Sequence, residues 1–286
     1  MKSFKSIHLI VLALSITEVP VFASNIFSIE EASKKGFIKL SIKGKGGYLG
    51  DVIEMKIKNL TNKKIDLKIE AGRKLDSKKN CEQDILITKT QEFFVNVNQT
   101  KTVNVFGMCC QAHNGSPENN SDYSVGKLAD SSLIKLANFI DKNKYYTSRT
   151  AQQAVWAISD NNSLASISGE EKEVVTNLQN YVSKITGRSI PPYNITYRQE
   201  NDRDVLGRAT KIEGIFDYIL PANCHATLAI YDNHGHLVQL IFENISHEKG
   251  AYNLYYTFRT KDLPQGLYYA RMNADGHLHK EMKIEF

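Results

Sequence analysis

Long apolar runs are almost missing from this sequence. The run Ile7–Ile16 is the longest, about half of the roughly 20 residues that a membrane-spanning helix needs, so no transmembrane segment is expected. Lys2 and Lys5 precede it and Val21-Phe22-Ala23 follows, with small or apolar residues where a signal peptidase reads. Residues 1–23 are therefore read as a secretory signal, and the mature chain is placed in the secreted space or at the outer cell surface. A large charge excess is also lacking: the net formal charge is +5 over 286 residues, too little to argue for a nucleic-acid partner. The segment Gly36–Asn80 does hold twelve Lys or Arg against five acids. They fall on the alternate polar positions of strand-like runs, as a solvated sheet face requires. No Gly-x-Ser-x-Gly, His-Glu-x-x-His or Cys-x-x-Cys occurs, which removes the usual signatures of hydrolases and metal sites. Cysteine is scarce, at four residues, and tryptophan occurs once.

What is present is a mainly β pattern with a helical part. From Phe37 the apolar residues recur at every second position: Leu40 and Ile42, then Ile53, Met55 and Ile57, then Ile65, Leu67 and Ile69. This spacing places them on one face of a strand. Further runs at Asp84–Thr88, Glu92–Val97 and Lys101–Met108 bring the total to six short strands, read as an N-terminal β-sandwich. Gly44, Gly46, Gly47 and Gly50 precede a strand rather than a helix and are read as a hairpin, not a phosphate cradle. Asn114–Tyr123 reads as a polar loop.

The period then becomes helical. Leu133, Leu136, Ala137 and Ile140 share a face of a segment near Ser131–Lys142. A second helix follows Ser148 with Ala151, Ala154, Val155 and Ile158 apolar. A third opens at Ser168 and Glu171, spaced as a capping box, and stops at Gly187. Pro191 and Pro192 cannot continue it. The predicted organisation is a sandwich plus three-helix subdomain over residues 36–187, a linker over 188–192, and a nearly all-strand domain over 193–286. Seven strand runs in the last part, with Asp232-Asn233-His234-Gly235 and Asn273-Ala274-Asp275-Gly276 as turns, match the count of an immunoglobulin-like sandwich.

Two stretches there carry a resemblance. Leu228–Val238, which contains Tyr231-Asp232-Asn233-His234-Gly235, and Leu263-Pro264-Gln265-Gly266-Leu267-Tyr268-Tyr269-Ala270-Arg271 resemble, in order, the signatures of the C-terminal sorting domain of type IX secretion substrates. The flagellar-hook-cap proteins share that fold. The resemblance covers about the last 70 residues of the chain and implies an immunoglobulin-like fold, a secretion-machinery partner and delivery across the outer membrane of Bacteroidota-type bacteria.

The densest chemistry lies between Val103 and Trp156. Cys109, Cys110 and His113 have too few companions for a zinc site, and Cys110 with His113 as base lacks a third orienting group. Strand alternation through Val103, Val105 and Gly107 turns Cys109 inward and Cys110 the other way, unless a bulge at Gly107 exchanges them. In an oxidising compartment bridging is the default, and Cys81 with Cys109 is the expected disulfide. Ala151-Gln152-Gln153-Ala154-Val155-Trp156 is similar to the TQxA(I/V)W motif of bacterial surface thioester domains, with Ala151 at the threonine position. That similarity implies a bond between Gln152 and an upstream cysteine, Cys109 or Cys110. The plainer reading packs Val155 and Trp156 on the sandwich and leaves Gln152 and Gln153 in solvent. His225, His234, His236, His277 and His279 read as solvated.

These readings lead to a secreted or surface binding protein with no catalytic residue, metal or cofactor. It has an unidentified extracellular ligand, and Cys109, Cys110, His113, Gln152 and Trp156 form the candidate binding site. The rivals are a covalent adhesin with an internal Cys-Gln thioester and a secreted hydrolase.

Overall fold

The computed structural model describes residues 26–198 and 207–286. The signal segment 1–23 and its cleavage point before Ser24 lie outside the described residues. Over these residues the fold is mainly β with four α-helices and several sheets.

The N-terminal half opens with β1 (Phe27–Ser28) and α1 (Ile29–Lys34). Ser28 caps the helix by accepting from the Glu31 N–H. The strands β2 (Ile38–Lys45), β3 (Leu49–Asn59), β4 (Ile65–Ile69), β5 (Arg73–Ser77), β6 (Ile85–Ile87), β7 (Gln91–Val95), β8 (Thr100–Cys109) and β9 (Asn119–Leu128) follow. The expected period-two runs are all there. Their arrangement differs from the expected sandwich, because β2-β3-β8-β6-β5-β9 close into a barrel, with β1-β4-β7 as a separate three-stranded sheet.

The strand that closes the barrel is β9, in part of the stretch read as a polar loop. It pairs with β2 through Tyr123 and Ile42 and with β5 through Ser77 and Tyr123. Its polarity hid it: Ser121 and Tyr123 alternate inward and are buried, but their neighbours Asn119, Asn120, Asp122 and Ser124 lack the apolar character that marks a strand. The barrel core joins Ile53, Met55, Ile57, Leu75, Ile85 and Val105 to Leu67 and Ile69 of the smaller sheet.

Gly107 lies on β8 opposite Ile87 of β6. A Cβ there would overlap the Ile85 Cγ2 and meet the Leu86 carbonyl oxygen at 3.1 Å. Gly107→Ala is expected to cost about 1–3 kcal/mol by overpacking, read as a lower urea midpoint with an unchanged slope; an unchanged midpoint would mean that β6 and β8 can separate freely. Cys109 keeps the inward side because the irregularity beside Gly107 puts its extra residue on β3, between Gly50 and Ile53, while Ile87, Leu86 and Ile85 pair in unbroken register with Gly107, Met108 and Cys109.

The helices α2 (Ser131–Asn143), α3 (Arg149–Ser159) and α4 (Lys172–Thr186) cover the outer face of β6 and β8. Leu86, Met108 and Cys110 there meet Leu136, Val155, Leu164 and Leu178. Asp130 caps α2. The capping box expected at the start of α4 is absent, since the helix begins after Glu171 with no side-chain cap. Ser168 is already engaged: its N–H donates to Gln153 Oε1 and its carbonyl accepts from Thr150 Oγ1. Gly187 ends α4 at φ 72°, a conformation glycine adopts without strain.

Beyond it, each of the seven predicted runs forms a strand: β10 (Tyr193–Arg198), β11 (Arg208–Leu220), β12 (Cys224–Asp232), β13 (Leu237–His247), β14 (Gly250–Arg259), β15 (Leu267–Ala274) and β16 (His277–Glu285). They make one sheet ordered β10-β11-β14 and another ordered β13-β12-β15-β16. Phe216, Tyr218, Leu228, Ile230, Phe258 and Met272 fill a shared core. No helix of the described residues is long and apolar enough to cross a membrane.

Candidate functional site

The site grows out of the end of β8. Leu49 pairs with Met108 and Gly50 with Gly107, so one further step in register would set Tyr48 opposite Cys109. The strand β3 begins only at Leu49, after a tip in which Gly46 and Gly47 have positive φ. On the other side of β8 the Cys110 N–H donates to the Asp84 carbonyl. Alternation along an antiparallel strand then turns the N–H and C=O of Cys109 toward the place that β3 has vacated.

Gln152 of α3 fills that place. The Cys109 N–H donates to Gln152 Oε1 at 2.9 Å, and Gln152 Nε2 donates to the Cys109 carbonyl at 2.9 Å. The side-chain amide thus replaces the missing residue of a neighbouring strand. Gln152 is 1% exposed, Cys109 0% and Trp156 2%, so the expectation of a solvent-facing Gln152 is corrected. A buried backbone N–H and C=O must find partners, and here this amide supplies one for each.

One turn further along α3, Trp156 enters the same barrel core as Cys109. Its Nε1 donates to Gln83 Oε1 at 3.3 Å. Gln83 Oε1 also accepts from the Gln111 N–H, and Gln83 Nε2 donates to the Asn114 carbonyl, which ties the loop after the vicinal cysteines to the helix. The Tyr123 hydroxyl donates to the Gln83 carbonyl at 3.1 Å. At the mouth, the Arg149 guanidinium lies over the Tyr48 ring, 5.8 Å from its centre, and holds the hairpin tip against the start of α3.

Gln83 and Tyr48 were not legible as site residues. A glutamine beside Cys81 in a loop and a tyrosine in a glycine-rich turn carry no local pattern.

The other predicted site residues are dispersed. Cys110 is buried among the helices, on the opposite face from Cys109. His113 is exposed and lines a separate cavity of about 500 Å³ with Asn161, Arg188 and Tyr193. Neither a Cys110–His113 nucleophile pair nor a metal cage of Cys109, Cys110 and His113 forms, because alternation sends the two thiols apart and the loop carries the imidazole outward. The expected Cys81–Cys109 disulfide is also corrected: all four cysteines are free, with Cys81 exposed and Cys109 buried. Cys81 sits in a left-handed turn at φ 61°, and its carbonyl accepts from the Gly115 N–H.

Burial pushes the Cys109 thiol well above its ordinary range and the Cys110 thiol from 9.0 up to about 12. As free thiols, both are therefore neutral and keep their hydrogen in the fold. A group whose folded pKa is raised contributes stability below its unfolded pKa, and that contribution is lost as pH climbs toward the folded value. Stability carried by Cys110 is therefore expected to be intact below pH 9.0 and to fall between there and about 12. Urea midpoints should drop less steeply above pH 9.0 in Cys110→Ala than in the parent chain. Equal slopes would show that the Cys110 thiol ionises without opening the helical core.

No family model and no curated protein matches this chain. Among solved structures, a red sea bream transglutaminase is similar over 90% of this chain and 33% of its own, at 10% identity and a TM-score of 0.20. The present chain spans about a third of that protein. The CBM51-2 and INT domains of Clostridium perfringens ZmpB, solved with GlcNAc, are similar over 86% of this chain and 79% of theirs, at 13% identity and a TM-score of 0.15. Likenesses this weak carry no argument about fold or activity.

Proposed function

We propose that this chain is a surface attachment protein that captures an amine covalently through a thioester between Cys109 and Gln152. The observation that carries the reading is the buried two-point pairing of the Gln152 amide with the backbone of Cys109. It holds the amide carbon beside the residue whose thiol faces the barrel core. The Cys109 N–H polarises the amide carbonyl and lies where negative charge on Oε1 would develop.

The chemistry balances within these residues. The Cys109 sulfur bonds to the Gln152 amide carbon, the C–N bond breaks, and the thiol proton leaves with the nitrogen as ammonia. A primary amine later attacks the same carbon, forms an amide with the Gln152 side chain and returns the thiol. Each chain reacts once, so this is capture rather than turnover. Exclusion of water around Cys109, Gln152 and Trp156 favours survival of the thioester until an amine arrives. Cys109 is assigned the bond rather than Cys110, which faces the helices. The deciding experiment is intact mass of the purified chain beside Cys109→Ala and Gln152→Ala.

The C-terminal part is assigned the delivery of this module. The reading takes residues 36–187 as the capture domain, 188–192 as linker and 193–286 as an immunoglobulin-like sandwich of the type IX sorting class. It is supported by the Leu228–Val238 and Leu263–Arg271 signatures and by two sheets around one core. Deleting residues 192–286 is expected to leave the first part folded but retained in the periplasm. Normal surface exposure of the shortened chain would reduce the C-terminal part to a spacer.

A further inference from the structure

The turn between β12 and β13 brings together Asp232, His234 and His236. Among the described residues they form a group whose potential metal-ligand atoms, one from each side chain, all lie within 4.8 Å of one another. The turn itself orients the carboxylate. Asp232 Oδ1 accepts the backbone N–H groups of His234 and His236, each at 2.8 Å. The Asp232 N–H donates to the His236 carbonyl and the Gly235 N–H to the Asp232 carbonyl, with Gly235 at φ 86°. Oδ2 is thereby left facing the histidines, 3.0 Å from His236 Nδ1. The two imidazoles lie nearly parallel, 25° apart with centres 6.0 Å from each other.

We propose that this turn is a binding site for a late first-row divalent cation, held by Asp232 Oδ2 and one ring nitrogen each of His234 and His236. Two imidazoles and one carboxylate suit zinc, copper or nickel, whereas calcium and magnesium prefer oxygen ligands. Zinc sits about 2.0–2.2 Å from such nitrogens and oxygens, so its ligands stand closer together than the 4.8 Å limit observed here. The two histidines are exposed and free to rotate inward by that small amount without disturbing the strands. Three protein ligands leave at least one coordination position to water or to a partner's donor. The site is remote in sequence from the Cys109–Gln152 pair and does not depend on the reading given to that pair.

The test is equilibrium dialysis of the full chain against zinc chloride, in a Cys81→Ser, Cys224→Ser background that removes the two accessible thiols. One equivalent is expected to bind, with His234→Asn and His236→Asn each weakening it by about tenfold or more. His225→Asn and His277→Asn serve as controls and should leave it unchanged, and excess calcium should not compete. Equal affinity in the His234→Asn, His236→Asn double variant would overturn the proposal. So would loss of binding in the control variants, or no retained zinc at all.

Discussion

The chain purified under native conditions is expected to weigh one ammonia less than its sequence requires, after allowance for signal removal. The reason is the arrangement at the end of β8, where the Gln152 amide is fixed by two hydrogen bonds to Cys109. Holding two reacting groups in place replaces a bimolecular encounter by a unimolecular step, worth several kcal/mol of barrier. Cys109→Ala and Gln152→Ala should both restore the full mass. Cys110→Ala should not, because its thiol faces the helices. Incubation with methylamine should convert the deficit into an adduct on Gln152, located by peptide mapping. Full mass in the parent chain, with a thiol titre counting Cys109 as free in the unfolded state, would defeat the thioester reading and leave Gln152 a purely structural partner of β8.

The second large effect separates those two roles. In a Cys109→Ala background, where no thioester can form and the Gln152 amide stays intact, Gln152→Ala removes the partners of a buried N–H and a buried C=O on residue 109, each costing about 1–3 kcal/mol when left unpaired. A loss of about 2–4 kcal/mol in unfolding free energy is expected, read from urea or thermal unfolding. Cys109→Ala keeps both backbone groups and therefore both hydrogen bonds, and should cost clearly less despite abolishing the mass deficit. Gln152→Glu should resemble Gln152→Ala, since a carboxylate still accepts from the Cys109 N–H but offers nothing to the Cys109 carbonyl. If Gln152→Ala costs nothing in that background, the two hydrogen bonds do not hold β8 to α3, and the geometry on which the capture reading rests is wrong as well.

Much of this molecule was legible because it is periodic. Ile53, Met55 and Ile57 alternate as a strand with one buried face must, and Leu133, Leu136, Ala137 and Ile140 recur as a helix with one buried stripe must. The direction of the two cysteines also followed from alternation, which depends only on the backbone. A strand made of polar residues escaped. Asn119–Leu128 is held by hydrogen bonds to β2 and β5, and hydrogen bonding to neighbours far away in the chain leaves no local trace. The capping box at Ser168 failed for a related reason, since Gln153 and Thr150 of another helix had already taken that residue's backbone.

The site divides in the same way. By itself the sequence determined that the chain has strands before and after a helical part, that Cys109 and Cys110 face opposite sides, and that Gln152 lies one helical turn before Trp156. These depend on spacings of one to four residues, which backbone geometry converts directly into faces. Only the tertiary structure decided that the strands close into a barrel, that Cys81 stays apart from Cys109, and that His113 turns away. It alone decided that Gln152 is buried against β8. That contact spans 43 residues and exists because β3 stops short of Tyr48, leaving one backbone N–H and one C=O that had to be satisfied from elsewhere in the fold.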